Sequence, residues 1–286
     1  MILVSGASGK TGKAVIKSLS TVENVCAFIH REENIAALKS LGAERVIVGD
    51  LRDESALRSA LKAARAIYHI CPNMSPAETV ISNLVIGEAR KAGVEHFVYH
   101  SVLHPQIETM HHHWQKMRVE EMLFESGLPF TILQPAPYMQ NLLANWKSIL
   151  EEGVLRIPYS VKAKFSFVHL EDVAEAAKIV LTDPSHKNAT YELAGTSPLS
   201  HVEVAEIFGR ALNREVRAAK EEIGDWRLRS GGLSEYALEN LVSMFEYYNQ
   251  WGLAGNPNIL KWILQREPTS LEIFAERTVK ANRANP

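Results

Sequence analysis

The feature that most constrains this chain is Gly6-Ala7-Ser8-Gly9-Lys10-Thr11-Gly12, set between the apolar run Ile2-Leu3-Val4 and a helical run over 14–19. Strand, glycine turn and helix in direct succession open a βαβ unit that binds a dinucleotide. The first glycine permits a tight turn, the next lets the backbone approach a pyrophosphate, and the last lets the helix pack close to the strand. N–H groups at the helix start then meet the phosphates. Gly6, Ser8, Gly9, Lys10, Thr11 and Gly12 are therefore the candidate phosphate-binding residues. The spacing is Gly-x-x-Gly-x-x-Gly rather than the commoner Gly-x-Gly-x-x-Gly, so the flanking elements carry the reading more than the glycines do.

The same rhythm continues. Short apolar runs at 2–5, 25–29, 45–48, 66–70, 96–100 and 130–134 alternate with helical patterns at 11–20, 34–41, 54–63, 78–92 and 108–126. Strands covered by helices on both faces predict an α/β fold, a Rossmann-type doubly wound parallel sheet. Beyond Pro135-Ala136-Pro137 the pattern loosens into a helix over 138–151, a strand over 165–169, a helix over 172–181, a strand over 191–194 and a helix over 201–212. The last third is amphipathic helix with large aromatics. The expected division is a dinucleotide-binding domain over 1–150, completed by parts of 165–195, and a smaller, mainly helical substrate or partner lobe over 151–286, the chain crossing between them in loops.

A net charge of −2 supplies no general attraction for nucleic acid or an anionic membrane. No run reaches the roughly 20 apolar residues needed to span a bilayer, and the opening residues do not read as a signal peptide. Cys26 and Cys71, the two cysteines, lie in apolar strand-like runs and read as buried free thiols. The expectation is a cytoplasmic protein acting on a small molecule, with a homodimer or a regulatory protein partner left open.

A carboxylate for the adenosine ribose is expected at the end of the second strand in an NAD site. That strand ends Phe28-Ile29-His30-Arg31. Arg31, with His30 beside it, suits the 2′-phosphate of NADPH, so NADP(H) is the expected cofactor. Two alternatives stand: Arg31 as a solvated helix-start residue, and a register offering Glu32 or Glu33 to a ribose. Asp50, at the end of the third strand, accepts from the adenine amino group or caps the following turn.

Five segments carry a resemblance beyond spacing: the loop from Gly6 to Gly12; Val48-Gly49-Asp50-Leu51 with Asp53; Lys116 with Val119-Glu120; Leu133-Gln134-Pro135 leading to Asn141-Leu142; and His169-Leu170-Glu171-Asp172-Val173-Ala174. On these the chain resembles the NmrA-like branch of the atypical short-chain dehydrogenases/reductases. The resemblance implies a Rossmann domain with a small substrate lobe and NADP(H) on the glycine loop, with Leu51, Cys71, Pro135 and Tyr138 joining the cofactor-binding set. It also implies one of two activities. Some such proteins are quinone, azo or triarylmethane-dye reductases, and others are redox sensors or regulators without clear turnover.

In the wider family a serine ends the fifth strand, and a tyrosine and a lysine four residues apart on the next helix complete the active site. Ser101 and Lys116 match, while His112 stands at the tyrosine position. His112 and Lys116 share a helix face. His112 reads as a proton donor or as a solvated or capping residue, and Lys116 as a ribose ligand or as the i,i+4 partner of Glu120. Without the tyrosine, alcohol dehydrogenation is disfavoured, as is an epimerase or dehydratase; reduction of a conjugated acceptor such as a quinone is not, since the acceptor takes its proton from water. The triplet His111-His112-His113 cannot converge on one metal while helical, because successive side chains point about 100° apart, so no metal site is expected. Tyr138, Met139 and Asn141 are the substrate-side candidates, the first two as a stacking surface or as ordinary core at a helix start.

Overall fold

Runs such as Ile2-Leu3-Val4 and Val25-Cys26-Ala27-Phe28-Ile29 bury every residue, as strands covered on both faces must. In the computed structural model, which describes residues 1–284, the first half of the chain alternates strictly. It runs β1 (Ile2–Val4), α1 (Lys10–Leu19), β2 (Val25–Ile29), α2 (Ile35–Ser40), β3 (Arg45–Val48), α3 (Glu54–Leu61), β4 (Ala66–His69), α4 (Glu78–Lys91), β5 (His96–His100), α5 (His111–Glu125) and β6 (Phe130–Pro135). The helices form where apolar residues recur on one face: α1 buries Val15, Ile16 and Leu19, and α3 buries Leu57, Ala60 and Leu61. Asp53 starts α3 by accepting from the N–H groups of Ser55 and Ala56.

The second half is irregular, as its looser pattern implies. A 3-10 helix, Met139–Asn145, leads to α6 (Trp146–Glu152), which Gly153 ends in a left-handed conformation, φ 65°. Then follow β7 (Val154–Ile157), β8 (Lys164–Phe165), α7 (Leu170–Thr182), β9 (Ala189–Leu193), β10 (Leu199–Ser200), α8 (His201–Leu212), β11 (Arg217–Lys220), α9 (Ile223–Arg229), α10 (Glu235–Trp251), α11 (Asn258–Leu264) and α12 (Leu271–Ala284). A reciprocal Ser200–Glu203 capping box opens α8.

Seven strands form one sheet in the order β3-β2-β1-β4-β5-β6-β9, and the pairs from β3 through β6 are parallel. The doubly wound α/β fold is present as expected. Leu3, Phe28, Leu57, Ile67, Val85, Phe97, Val119 and Ile132 belong to its continuous apolar core. The expected strand over 165–169 shrinks to β8, and β7 and β11 pair in parallel where no strand was expected. Arg217-Ala218-Ala219-Lys220 has no β-branched or aromatic residue, so nothing local marks it as strand.

Contacts divide the chain into two compact units. The first comprises Met1–Gln106, His112–Gln134 and Val173–Tyr191; the second comprises Ile107–His111, Pro135–Asp172 and the chain from Glu192 onward. The division falls where β6 ends rather than near 150, because at Pro135 the chain leaves the sheet and most of α7 and the start of β9 return to it. The second unit holds the β7–β11 and β8–β10 pairs and a cluster of ring contacts among Tyr159, Phe165, His201, Phe245 and Tyr248. Both cysteines are buried and free. Among the described residues no helix is long and apolar enough to cross a membrane.

Gly12 lies where α1 crosses the loop, and a Cβ on it would stand 2.6 Å from both Ala7 Cα and Gly6 O. These are backbone atoms and cannot rotate away. Gly12→Ala is expected to lose about 1–3 kcal/mol of stability, read as a lower urea midpoint at unchanged slope.

Candidate active site at the carboxyl end of the sheet

The chain builds β1, β2 and β3 outward in one direction and then returns to lay β4 on the other side of β1. Ligands of such sheets bind outside the carboxyl ends of the strands at this reversal. The loop after β1 occupies it. Gly6 has φ 59°, and a Cβ there would meet Ile70 O, just after β4, at 2.7 Å. Gly9 caps α1 and the first turn holds no acid, so the positive end of the helix favours an anion. Thr11 and Gly12 are buried, Ser8 is half-buried, and Gly9 and Lys10 are exposed. The loop thus fits a dinucleotide's pyrophosphate. Its base is fastened by Ser5, whose Oγ accepts from Ile70 N–H (2.9 Å) and bonds His69 Nδ1 (2.8 Å), while His69 Nε2 reaches Ser82 Oγ (3.1 Å).

At the ends of β2 and β3, His30 and Arg31 are exposed. Arg31 makes only a loose pair with Glu33 at 3.7 Å, its side chain 73% exposed. Glu32 and Glu33 lie on a short 3-10 turn, Glu32–Asn34. The Asp50 carboxylate is gripped by Arg52, with Arg52 Nε at 3.0 Å and Nη2 at 2.6 Å. Those hydrogen bonds hold Asp50 down at about 2. Asp50 Oδ1 also accepts from the Arg52 backbone N–H (2.8 Å), so Asp50 caps the turn that follows β3, as the second alternative has it, while Asp53 caps α3 itself. Leu51 is buried.

Lys116 is brought to the end of β5 by α5. Its Nζ donates to Glu78 Oε1 (3.0 Å) and to the carbonyl of His100 (3.3 Å), and sits 5.2 Å from the centre of the Tyr99 ring. Both charged side chains are buried, 7% and 1% exposed. The Tyr99 hydroxyl also donates to Glu78 Oε1 (2.9 Å), and burial with that carboxylate pushes the phenol well up. Burial alone would raise Glu78, but the Lys116 ammonium and these hydrogen bonds outweigh it and hold the carboxyl below its ordinary range. Burial, then Glu78, push the Cys71 thiol up. The expected i,i+4 pair of Lys116 with Glu120 does not form. Glu120 instead accepts from Ser101 Oγ and from Gln134 Nε2 (3.0 and 2.9 Å), and burial raises its carboxyl in spite of them.

His112 is buried, and burial followed by the Lys116 charge pushes it down to about 3. It therefore presents a neutral imidazole at neutral pH, and its burial corrects the expectation of a solvated ring. His113 is buried too, with Nδ1 3.3 Å from the carbonyl oxygen of His104, while His111 is exposed. Among the described residues no group of three or more His, Cys, Asp or Glu is arranged to hold a metal.

In the second unit, Pro135 is buried, Tyr138 is half-buried and Asn141 is exposed. Met139 is fully buried and donates its N–H to Val168 O (3.0 Å). It is core, which corrects its reading as part of a stacking surface, while Tyr138 and Asn141 keep accessible surface. Glu78, Tyr99, His100 and Gln134 escaped sequence reasoning as site residues. Gln134 carried a signal, a polar residue closing an apolar strand. Glu78 carried none, since an acid at a helix start ordinarily reads as an exposed complement to the dipole.

A reversed parallel sheet with a glycine loop and a helix start free of acids at the reversal defines a Rossmann-type dinucleotide-binding protein. Residues 1–279 match the NmrA-like family, and the chain belongs to it. It is 30% identical over 219 residues to the NAD(P)H azoreductase of Xenophilus azovorans, covering 76% of each chain. It is 28% identical over 275 residues to quinone oxidoreductase 2 of Escherichia coli (strain K12), covering 95% of this chain and 96% of that protein. The structure of the E. coli NADPH-dependent quinone oxidoreductase with NADPH superposes with a TM-score of 0.87 at 26% identity, over 97% and 99% of the two chains. NmrA, a negative transcriptional regulator solved with NADP, shares the fold: TM-score 0.84, 17% identity, 99% and 97% of the two chains.

Burial pushes His69, His96 and His113 down to about 4 and, with the Lys116 charge, His100 and His112 to about 3. Between these values and the ordinary 6.5 the unfolded chain binds more protons than the folded one, so stability falls as pH drops below 6.5. Each ring is expected to cost about 1–2 kcal/mol by about pH 5. Urea midpoints at neutral pH and at about pH 5 check this, and equal midpoints contradict it.

Proposed function

We propose that this chain is an NADPH-dependent reductase that passes hydride to a quinone-like or other conjugated small-molecule acceptor. The observation that carries the reading is the buried Lys116–Glu78 pair at the end of β5, at the same end of the parallel sheet as the glycine loop. Its relatives named above as azo and quinone reductases support the same class of reaction. When bound, the dihydronicotinamide supplies the hydride. The first turn of α1 holds the pyrophosphate, Arg31 with His30 takes the 2′-phosphate, and Lys116 holds the nicotinamide ribose.

His112 bears on the choice of acceptor. A neutral imidazole with a strongly depressed basicity hydrogen-bonds but does not serve as an imidazolium acid at neutral pH. Ser101 is committed to Glu120 and supplies no free catalytic hydroxyl. The site is therefore suited to an acceptor whose reduced form takes its proton from water, and poorly suited to oxidising an alcohol. The same observation favours a second reading, an NADP(H)-dependent sensor without turnover that signals through a protein partner.

Mixing the protein with NADPH and a panel of quinones and azo dyes is expected to consume the reduced-nicotinamide absorbance. Tight NADPH binding without consumption across the panel, and with an NADPH-dependent change of oligomeric state or partner capture, selects the sensor. NADPH is expected to bind more tightly than NADH, and Arg31→Ala to cost about tenfold in NADPH affinity while leaving NADH unchanged. Clearly tighter NADH binding by the unmodified protein rejects the cofactor assignment.

A further inference from the structure

The Glu78 carboxylate is buried beside the Cys71 thiol, the hydrogen bonds from Tyr99 and Lys116 both fall on Oε1, and among the described residues Oε2 lacks a close hydrogen-bond partner. A carboxylate so poorly solvated depends on one cation for its charge, and that cation is Lys116. The dependence runs both ways. Among the described residues no other carboxylate forms an ion pair with the Lys116 ammonium, because Glu120 is turned to Ser101 and Gln134. Its remaining contacts, the His100 carbonyl and the Tyr99 ring face, are neutral. The other titratable groups acting on the pair are His69 at the end of β4, Cys71 just after it, Tyr99 and His100 of β5, and His112 and His113 of α5, together with Glu120, which is held by Ser101 and Gln134. The histidines are neutral at neutral pH and the thiol and phenol are held protonated, so none of them replaces Glu78.

From this geometry we infer that Glu78 is the positioning residue of the site: through one buried ion pair it keeps Lys116 charged and aimed where the cofactor's nicotinamide ribose is held. This rests on the reading of Lys116 as a ribose ligand. Glu78 touches no ligand in this role and acts only through the lysine. Tyr99 does the corresponding work for Glu78: its hydroxyl fixes Oε1, so the carboxylate cannot swing from the ammonium. The arrangement differs from a tyrosine–lysine pair in what the lysine's charge is for. Here the neighbouring helical position holds neutral His112, and the ammonium serves binding rather than the activation of an adjacent acid.

Without Glu78 the buried ammonium has no opposite charge to compensate it, and burial penalises an uncompensated charge. The test is NADPH affinity, by fluorescence or calorimetry, against pH between about 6 and 9 for the unmodified protein, Glu78→Gln, Lys116→Met and the double variant. The unmodified protein is expected to show a flat profile. Glu78→Gln is expected to stay within about threefold at the acid end and to weaken about tenfold or more towards the alkaline end. Lys116→Met is expected to bind weakly at every pH, and the double variant to bind as Lys116→Met does. Should Glu78→Gln fail to fold, the double variant leaves no unpaired buried charge, and its comparison with Lys116→Met decides the question. A Glu78→Gln profile parallel to that of the unmodified protein, or a double variant clearly weaker than Lys116→Met, overturns the inference while leaving the ribose reading intact. Unchanged NADPH affinity in Lys116→Met overturns both.

Discussion

Burying polar and charged groups at the carboxyl ends of a parallel sheet is tolerated only where each finds a partner, and this constraint organises the first unit. Ser5 and His69 tie the end of β1 to β4, Tyr68 and His100 bond at 2.7 Å between β4 and β5, and Tyr99, Glu78 and Lys116 join β5 to two helices. Ser101, Glu120 and Gln134 continue the layer to β6. Each link lies beside the strand ends where a ligand of this fold binds, so the groups that hold the strands in register also shape the site. Partly satisfied networks of this kind are costly, which makes Oε2 of Glu78, without a close hydrogen-bond partner among the described residues, the conspicuous exception.

The same layer explains how Lys116 stays buried on a helix face shared with His112. A buried ammonium needs compensation, and a distant carboxylate supplies it from α4, 38 residues away in the chain. Depression of His100 and His112 follows from the same burial and the same charge. The electrostatics of the site thus come from one cation and the low polarity around it, rather than from a proton-donating side chain.

Much of the fold was legible. Alternating apolar runs and helical patterns predicted the parallel sheet, because a strand buried on both faces has little choice but to be apolar throughout. The glycine loop was legible because its chemistry depends on local backbone. Legibility failed where partners are distant or the role depends on exposure. Asp50 was one of two acids near a helix start, and only the fold shows that Asp53 caps it and Arg52 holds Asp50. Met139 offered an apolar side chain equally fit for ligand or core, and its burial makes it core. Arg217 to Lys220 became a strand through pairing with β7 alone.

By itself the sequence determined the alternation of strands and helices in the first half of the chain, the glycine turn after β1, the cationic end of β2 and the histidine at position 112. These are properties of residues within a few positions of one another, where backbone geometry and hydrophobic period act directly. Only the tertiary structure decided that Lys116 belongs to Glu78 and not to Glu120, that His112 is buried and neutral, and that Ser101 is held by Glu120. Ion pairing and desolvation depend on which surfaces the fold brings together and closes to water, and that information is carried by the packing of α4 and α5 against the sheet.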